Sequence, residues 1–437
     1  MSEPDIIKQN LNEAIDKAIK KFFSETSSKA FTQSKKLNAS LLIHTLLTMD
    51  GGSLTREIER HKLPFSASAL CQSRQKLPPS VLEDVFHFFN ESCKHIEHRH
   101  RGYRFFAIDG TNIPVFKNPQ SETFLWNGSM KTSYSAYHLT PIYDIIGNVY
   151  VDAAIQPKSR FDEISAAEFL LSWYDFPEKS ILTLDRGFES YNMIGLLSNT
   201  PHLDYVLRVK QTATAMKVIK QLPMEELDLD CSVVITQHQR KNVPDNYVFI
   251  QTGSLKGKEN SPKTKISKWY FGDLYELKFR VVRRKLPNQD NYETLITSLG
   301  RDEFSAEDIM DIYKRRWSIE VNAFRNLKYT LGLMAQHSKI DSLSLQQIWA
   351  TLIMQNFSSY IVSSIAIQQK DTNKYEYAVN YKMAVSFCKE FFRVQNVSGD
   401  KLIEDISKYT IPIRPDRQEE RNLTAKPFGG FCYRIPS

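Results

Sequence analysis

Three acidic residues stand in settings where they could do chemistry together. Asp109 follows the apolar run Phe105-Phe106-Ala107-Ile108 and precedes Gly110-Thr111, while Asp185 follows Ile181-Leu182-Thr183-Leu184 and precedes Arg186-Gly187-Phe188. Such runs read as buried strands, and in open α/β sheets functional groups gather at strand ends, with neighbouring strands about 4.8 Å apart. If the two strands are adjacent, the two aspartates can share ligands; taken singly, each also looks like an acid opening a turn. The third acid is Glu320, in Tyr313-x2-Arg316-x3-Glu320. At about 100° per residue, Tyr313, Arg316 and Glu320 share a helix face, with Trp317, Phe324 and Leu327 beside them. A carboxylate among apolar neighbours needs a cation or a base as partner. Arg316 is one candidate, and for this stretch taken alone an amphipathic core helix with an internal Arg/Glu pair is the better account.

Carboxylates held within a few ångströms repel, so one keeps its proton or a cation binds between them. An all-oxygen set without a Cys or His cluster selects Mg²⁺ or Mn²⁺ over zinc. Two such ions can activate a water or a 3′-hydroxyl and stabilise the leaving oxygen in an in-line attack on a phosphodiester. Arg316 would then serve the phosphate as a bidentate donor, and Tyr313 as a hydroxyl donor or stacking ring.

The rest of the chain must position these groups. Its 437 residues exceed one small core and predict two or three domains, and 41% hydrophobic with 24% charged residues is an ordinary folded composition. A net charge of +7 is compatible with a polyanionic partner without requiring one. The five cysteines, Cys71, Cys93, Cys231, Cys388 and Cys432, are scattered and never form C-x-x-C, which argues against a zinc ribbon or a secreted disulfide framework and for a reducing cytoplasm. The opening Met1-Ser2-Glu3-Pro4-Asp5 carries no apolar signal core, and no apolar run is long enough for a membrane span.

From Asp5 to about Lys94 the pattern is helical, with Ile6, Leu11, Ala14, Ile15, Ala18 and Phe22 at three- and four-residue spacing. In this module Arg74 and Lys76 read as exposed side chains that could meet phosphates, or as a solvated face. Strands are expected over Tyr103–Val115, Ser135–Tyr143 and Asn148–Ile155, then a helix over Ile164–Trp173, the strand of Ile181–Leu184, a helix over Ser190–Leu197 and a strand over Tyr205–Lys210. Strands recur in a β-rich insertion, at Val233–Thr236, Tyr247–Ile250, Glu276–Val282 and Thr294–Thr297. Ser305 and Asp308 have capping-box spacing, so the helix carrying Glu320 should start there and run through Leu331. Helices over Leu343–Ile367 and Lys382–Phe392 precede a tail bearing Arg414, Arg417, Arg421, Lys426 and Arg434.

The residues Asp109-Gly110-Thr111, Asp185-Arg186-Gly187-Phe188 and Tyr313-x2-Arg316-x3-Glu320, in that order and with a β-rich insertion before the last, resemble bacterial DDE transposases of the insertion-sequence-four group. The resemblance covers roughly residues 100 to 335. It implies a ribonuclease-H-like fold, a two-metal site of Asp109, Asp185 and Glu320, and DNA cleavage and strand transfer by a dimer at the ends of a mobile element. It also implies a lysine seven positions after the glutamate. Leu327 stands there, and Lys328 follows one step later, turned about 100° around an α-helix. Either its stem swings back, or a one-residue bulge restores the register, or Lys328 does not hold the terminal phosphate. Arg208 and Lys210 resemble the basic pair ending the fifth core strand, or form a solvated strand end, and Tyr292 stands near the strand that in the family carries an aromatic stacking on a flipped base.

The expected architecture is therefore α/β. A helical N-terminal domain (1–100) precedes a ribonuclease-H-like mixed sheet with flanking helices (101–222), a β-rich insertion (223–300), a closing helix (301–340) and a helical C-terminal region with a basic tail (341–437). The expected function is a cytoplasmic DNA transposase using Mg²⁺ or Mn²⁺, with two ions, on double-stranded DNA with terminal inverted repeats, as a homodimer and without a membrane. The rivals are a related nuclease of the same fold, a transposase-derived DNA-binding protein that no longer cuts, and a glycosidase using two of the acids.

Overall fold

A computed structural model describes residues 2–26, 31, 37–127, 132–211, 215–236, 244, 246–249, 274–286, 291–334, 336, 338–369 and 374–414. Five helices come first: α1 (Glu3–Glu25), α2 (Ala39–Thr48), α3 (Leu54–Arg60), α4 (Ala67–Gln75) and α5 (Pro79–Ser92). Each of α2, α3 and α4 opens on a side-chain oxygen, of Asn38, Ser53 and Ser66, that accepts a hydrogen bond from a backbone N–H of the first turn. The stripe of α1 that meets the core runs through Ile7, not the expected Ile6, which is exposed.

The sheet follows, with β1 (Arg104–Ile108), β2 (Thr111–Val115), β3 (Phe124–Asn127), β4 (Thr132–Asp144) and β5 (Val149–Pro157), then α6 (Glu163–Trp173), β6 (Ser180–Leu184), α7 (Tyr191–Asn199), β7 (Leu203–Arg208) and the single turn α8 (Lys217–Lys220). The strand expected over Tyr103–Val115 is broken at Asp109-Gly110. Both halves still pair with β4, Ile108 opposite Ile142 and Thr111 opposite Leu139, which puts Thr140 and Pro141 opposite the break. Pro141 has no N–H to give the ladder there. The strand β3 falls between the expected strands Tyr103–Val115 and Ser135–Tyr143, where the sequence reading places no element.

In space β1 lies between β4, antiparallel to it, and β6, parallel to it, and β6 is parallel to β7. The strands β8 (Leu227–Thr236), β9 (Tyr247–Phe249), β10 (Leu274–Lys285) and β11 (Tyr292–Thr297) extend this same sheet, β11 pairing antiparallel with β7. The loop 253–268, Ile250 and the tail residues Arg417, Arg421, Lys426 and Arg434 lie outside the described residues. After the sheet come α9 (Ala306–Arg315), a run of wider helical turns, α10 (Asp341–Ser363), α11 (Tyr381–Arg393) and α12 (Gly399–Ser407), the last not expected from sequence. A small ladder joins β12 (Tyr377–Val379) to β13 (Thr410–Pro412).

The sheet is covered on both faces. Phe105, Ala107 and Ile181 face a core shared with α1, α5, α9 and α10, while Phe106, Ile108, Leu182 and Leu184 face a second core with α6 and α7. Burial on both faces explains why β1 and β6 read as unbroken apolar runs rather than alternating ones. Among the described residues no helix is long and apolar enough to cross a membrane.

One basic residue corrects the sequence reading. Arg74 is 1% exposed, not a phosphate-facing side chain: its Nη2 donates to the Leu343 carbonyl at 2.7 Å and its Nε to Gln346 Oε1 at 3.2 Å, while Gln346 Nε2 donates back to the Arg74 carbonyl. It pins α4 to α10, and only Lys76 of the pair faces solvent. Replacing it takes the donor from the buried Gln346 Oε1 and empties the space beside the Leu343 carbonyl, so Arg74→Ala should lower unfolding free energy by about 2–4 kcal/mol. Urea unfolding measures this, and a loss under about 0.5 kcal/mol would mean that the contact is expendable.

Candidate active site

Asp109 and Asp185 directly follow β1 and β6, whose last residues, Ile108 and Leu184, are register partners in the parallel pair. The two carboxylates thus leave neighbouring strands at the same level, about 4.8 Å apart at the backbone. Continuing the alternation of the strands turns both toward the face that α9 covers. The capping box expected at the start of α9 is present: Ser305 Oγ accepts from the Asp308 amide at 3.1 Å and Asp308 Oδ2 accepts from the Ser305 amide at 2.9 Å. The buried stripe Ile309, Ile312 and Tyr313 seats the helix on the sheet.

That seat brings Arg316 between the acids. Its Nη1 donates to Asp109 Oδ2 at 2.9 Å and to Glu320 Oε1 at 3.2 Å, and its Nη2 donates to the same Glu320 oxygen at 3.2 Å. One nitrogen touches both carboxylates, so they are separated by no more than those two contacts together. The Tyr313 hydroxyl donates to Asp185 Oδ1 at 3.3 Å, and Arg208 at the end of β7 has Nη1 4.0 Å from the same oxygen. Asp109, Asp185, Glu320, Tyr313, Arg316 and Arg208 therefore form one cluster.

Burial dominates its electrostatics. It pushes the Asp109 carboxyl up to about 6, because the neighbouring charges of Glu320 and Glu163 reinforce it and the relief from Arg316 and the Gly110 N–H falls short. Burial likewise pushes the Tyr313 phenol up to about 12, so the hydroxyl keeps its proton and can donate. Burial alone would depress the Arg316 guanidinium, but Tyr313, Asp109 and Asp185 outweigh it and hold the group above its ordinary value.

The chain after Arg316 departs from a uniform α-helix. Ile319–Phe324 and Asn326–Thr330 form wide π-type turns, and the Leu331 N–H reaches back five residues to the Asn326 carbonyl at 2.9 Å. A wider turn spends an extra residue, so the eight steps from Glu320 to Lys328 complete about two turns, as seven do in an α-helix. This is the bulge alternative. Lys328 consequently returns to the acidic end, where Nζ donates to Thr111 Oγ1 at 2.5 Å, two residues beyond Asp109. Burial lowers its pKa.

The Lys210 amide donates to Glu189 Oε2 at 2.7 Å, just beyond β7. Tyr292 is not brought to the acids: its neighbour Glu293 points at the cluster, with Oε1 3.2 Å from Arg208 Nε, and strand alternation turns Tyr292 to the opposite face, toward Arg283 and Thr294. The sequence reading missed Glu293, for which only the strand's phase could have spoken. It also missed Glu163 and His138, which crowd Gly110.

A second gathering of potential ligands was also missed. Asp50, Glu57 and His61 offer atoms within 4.8 Å of one another. That group already has its counter-charges, since Arg60 and Lys389 pair with Asp50 at 3.1 and 3.2 Å, and Glu57 accepts from the Asp50 and Gly52 amides. The Asp109 cluster differs in donor chemistry and in need. Its carboxylates supply only oxygen, and the single guanidinium nitrogen bridging Asp109 and Glu320 marks where positive charge is demanded, so their donor chemistry suits a hard divalent cation, while their ligand atoms are not gathered as tightly as those of the Asp50 group.

The raised Asp109 carboxyl has a consequence for stability. An acid that ionises near 3.8 in the unfolded chain and near 6 in the folded one costs stability as pH rises through that window, and the full cost stands above it. In chelator-treated protein, Asp109→Asn should therefore gain stability relative to the parent between about pH 4 and pH 7, by up to about 3 kcal/mol. Urea unfolding across that range is the measurement, and a difference independent of pH would contradict the shift.

The model of the transposase DDE domain family matches residues 100–357, more than half of the chain. The putative transposase InsL for insertion sequence element IS186A of Escherichia coli (strain K12) is 41% identical over 76 residues, which is 17% of this chain and 20% of that protein. The transposase for insertion sequence element IS421 of Escherichia coli matches with the same figures, so the chain spans about a fifth of the length of these curated relatives. The cryo-EM structure of the piggyBac transposase synaptic complex with hairpin DNA aligns with a TM-score of 0.44 at 11% identity, covering 96% of this chain and 87% of that one. On the breadth of the family match, the chain belongs to the transposase DDE domain family.

Proposed function

We propose that this chain is a metal-dependent DNA transposase of the insertion-sequence-four group, acting in the cytoplasm as a homodimer on double-stranded DNA at terminal inverted repeats. The group assignment is supported by Tyr313-x2-Arg316-x3-Glu320. A ribonuclease-H-like reading of the core is supported by the strand order β5-β4-β1-β6-β7, antiparallel until β1 and parallel after it. The proposed organisation is a helical domain over 1–100, a catalytic core over 101–222 completed by 301–340, a β-rich insertion over 223–300 and a helical region over 341–437.

One observation carries the reading: Asp109 and Asp185 end register-matched parallel strands, and Arg316 touches both Asp109 and Glu320. In this proposal Asp109, Asp185 and Glu320 hold the ions, Mg²⁺ or Mn²⁺. Two such ions, when bound, supply a nucleophilic oxygen at neutral pH and stabilise the leaving oxygen of a phosphodiester. Arg316, freed from its carboxylates, offers a two-pronged donor to a phosphate. Tyr313 holds Asp185 by its retained proton. Lys328, Arg208 and Lys210 add positive charge around the acids for the DNA backbone. Tyr292, partly exposed on the far face of β11, is the ring offered to a flipped base.

Purified protein given Mg²⁺ should nick DNA carrying the element's terminal repeats and join the freed 3′ end to a second duplex, and chelation should stop both steps. Asp109→Asn, Asp185→Asn and Glu320→Gln should each lower cleavage by more than about a hundredfold while DNA affinity stays within about threefold. Substantial cutting by any of them would remove the three-acid reading, and a parent protein that binds but never cuts would favour a DNA-binding derivative. Affinity should also fall with salt, by about 0.9 in log K per unit log salt for each phosphate neutralised.

A further inference from the structure

The wide turns between Glu320 and Lys328 have an inner and an outer side. Ala323, Phe324 and Leu327 enter the core, while Val321, Asn322, Arg325 and Tyr329 stay in solvent, Val321 at 54% and Tyr329 at 68% exposure. Val321, Arg325 and Tyr329 are spaced by just under one wide turn, so they stand in a row. The row lies against the acidic site. Val321 follows Glu320, which Arg316 holds, and Tyr329 follows Lys328, which reaches Thr111.

Single exposed apolar side chains are ordinary on a folded surface. The setting of this row is not ordinary in its charge. No Asp or Glu occurs from Val321 to Ile340, although acids make up 50 of the chain's 437 residues, and the same stretch holds Arg325, Lys328 and Lys339. Arg325 makes no ion pair among the described residues, whereas Lys314, one element earlier, is neutralised by Asp311 at 2.9 Å. An uncompensated basic surface continuous with Arg316 and Lys328 fits a polyanion, and duplex DNA passing through the site would run onto it.

The residue types separate base contact from phosphate contact. A valine and a tyrosine ring gain little from phosphate oxygens, which Arg316 and Lys328 are placed to meet. Base edges in a groove offer such side chains apolar contact, the thymine methyl included, and offer hydrogen-bond partners to Arg and Asn. The major groove of B-DNA, about 12 Å wide, admits one helix.

We propose that the outer side of the wide turns enters the DNA groove beside the bond to be cut and reads base pairs there, Arg325 and Asn322 hydrogen-bonding to base edges and Val321 and Tyr329 making the apolar contacts. The proposal rests on the reading of the chain as a transposase acting at element ends, and adds which residues recognise the sequence at that end.

The test is binding of the full chain, in chelator so that no bond is cut, to fluorescent duplexes carrying an end of the element with its outermost base pairs substituted one at a time. Parent affinity should fall at particular substituted pairs. Arg325→Ala should weaken binding to the unsubstituted end about tenfold and lose the penalty at about one or two of those pairs. Arg325→Lys keeps the charge and should lose the same discrimination, and Tyr329→Ala should relax the preference at a neighbouring pair. These side chains are exposed, so the variants should fold, and thermal unfolding matched to the parent checks this. If Arg325→Ala and Tyr329→Ala bind every duplex within about twofold of the parent, or lose affinity equally on all of them, the row reads no bases and the proposal falls. The transposase reading then stands on the parent's preference for the element's end and its cutting with Mg²⁺. If the parent binds that end no better than unrelated duplex, the proposal and that reading fall together. Altered sedimentation of the variants with DNA binding unchanged would make the row a contact between copies of this chain and overturn the proposal.

Discussion

The contact on which the site depends is the Arg316 guanidinium shared by Asp109 and Glu320. It joins a strand end to a helix that returns only after the whole of β8 to β11, and it does so in the interior, where Arg316 is 1% exposed. A buried arginine without acids, or buried acids without a cation, would cost several kcal/mol. Each therefore requires the other, and that mutual need selects the placement of α9 more sharply than its apolar stripe can. Apolar packing tolerates small slides, whereas a nitrogen bridging two carboxylates at 2.9 and 3.2 Å does not.

The same constraint makes sense of the wide turns that follow. A regular α-helix through Leu331 would keep Arg316 and Glu320 paired but would carry Lys328 off to one side. Widening the turns at Ile319–Phe324 and Asn326–Thr330 keeps the pair and returns the lysine to Thr111. Turns of this kind are less favourable than α turns and cluster where function overrides regularity. Leu327, the residue displaced by the change, is fully buried and gives the register shift an apolar anchor.

How far the sequence revealed the site depended on the range of the interaction. The strands ending in Asp109 and Asp185 were legible because burial on both faces writes an uninterrupted apolar run, and the start of α9 was legible because a capping box is a contact three residues long. Arg74 was misread because a basic residue on a helix looks the same whether its partners are water or the Leu343 carbonyl, far along the chain. Glu293 was not legible because composition identifies a strand without giving its phase, and a shift of one residue exchanges it with Tyr292, which the resemblance named. Glu163 and His138 were invisible, since they meet only when α6 packs on β4.

The two aspartates, alike in sequence, end up in unlike surroundings, and the sheet explains why. Asp109 leaves β1, flanked by β4 and β6, where Gly110 admits Glu163 and His138 on one side and Arg316 closes the other; its side chain is 19% exposed. Asp185 leaves β6 toward β7, and its side chain is 35% exposed, beside Tyr313 and Arg208. Arg208 is held in turn by Glu293, because β11 pairs antiparallel with β7. The β-rich strands are therefore more than an appendage on the edge of the sheet. By supplying Glu293 they set the orientation of the cation next to Asp185, so a slip of β11 against β7 would alter the acidic site without touching any of its three carboxylates.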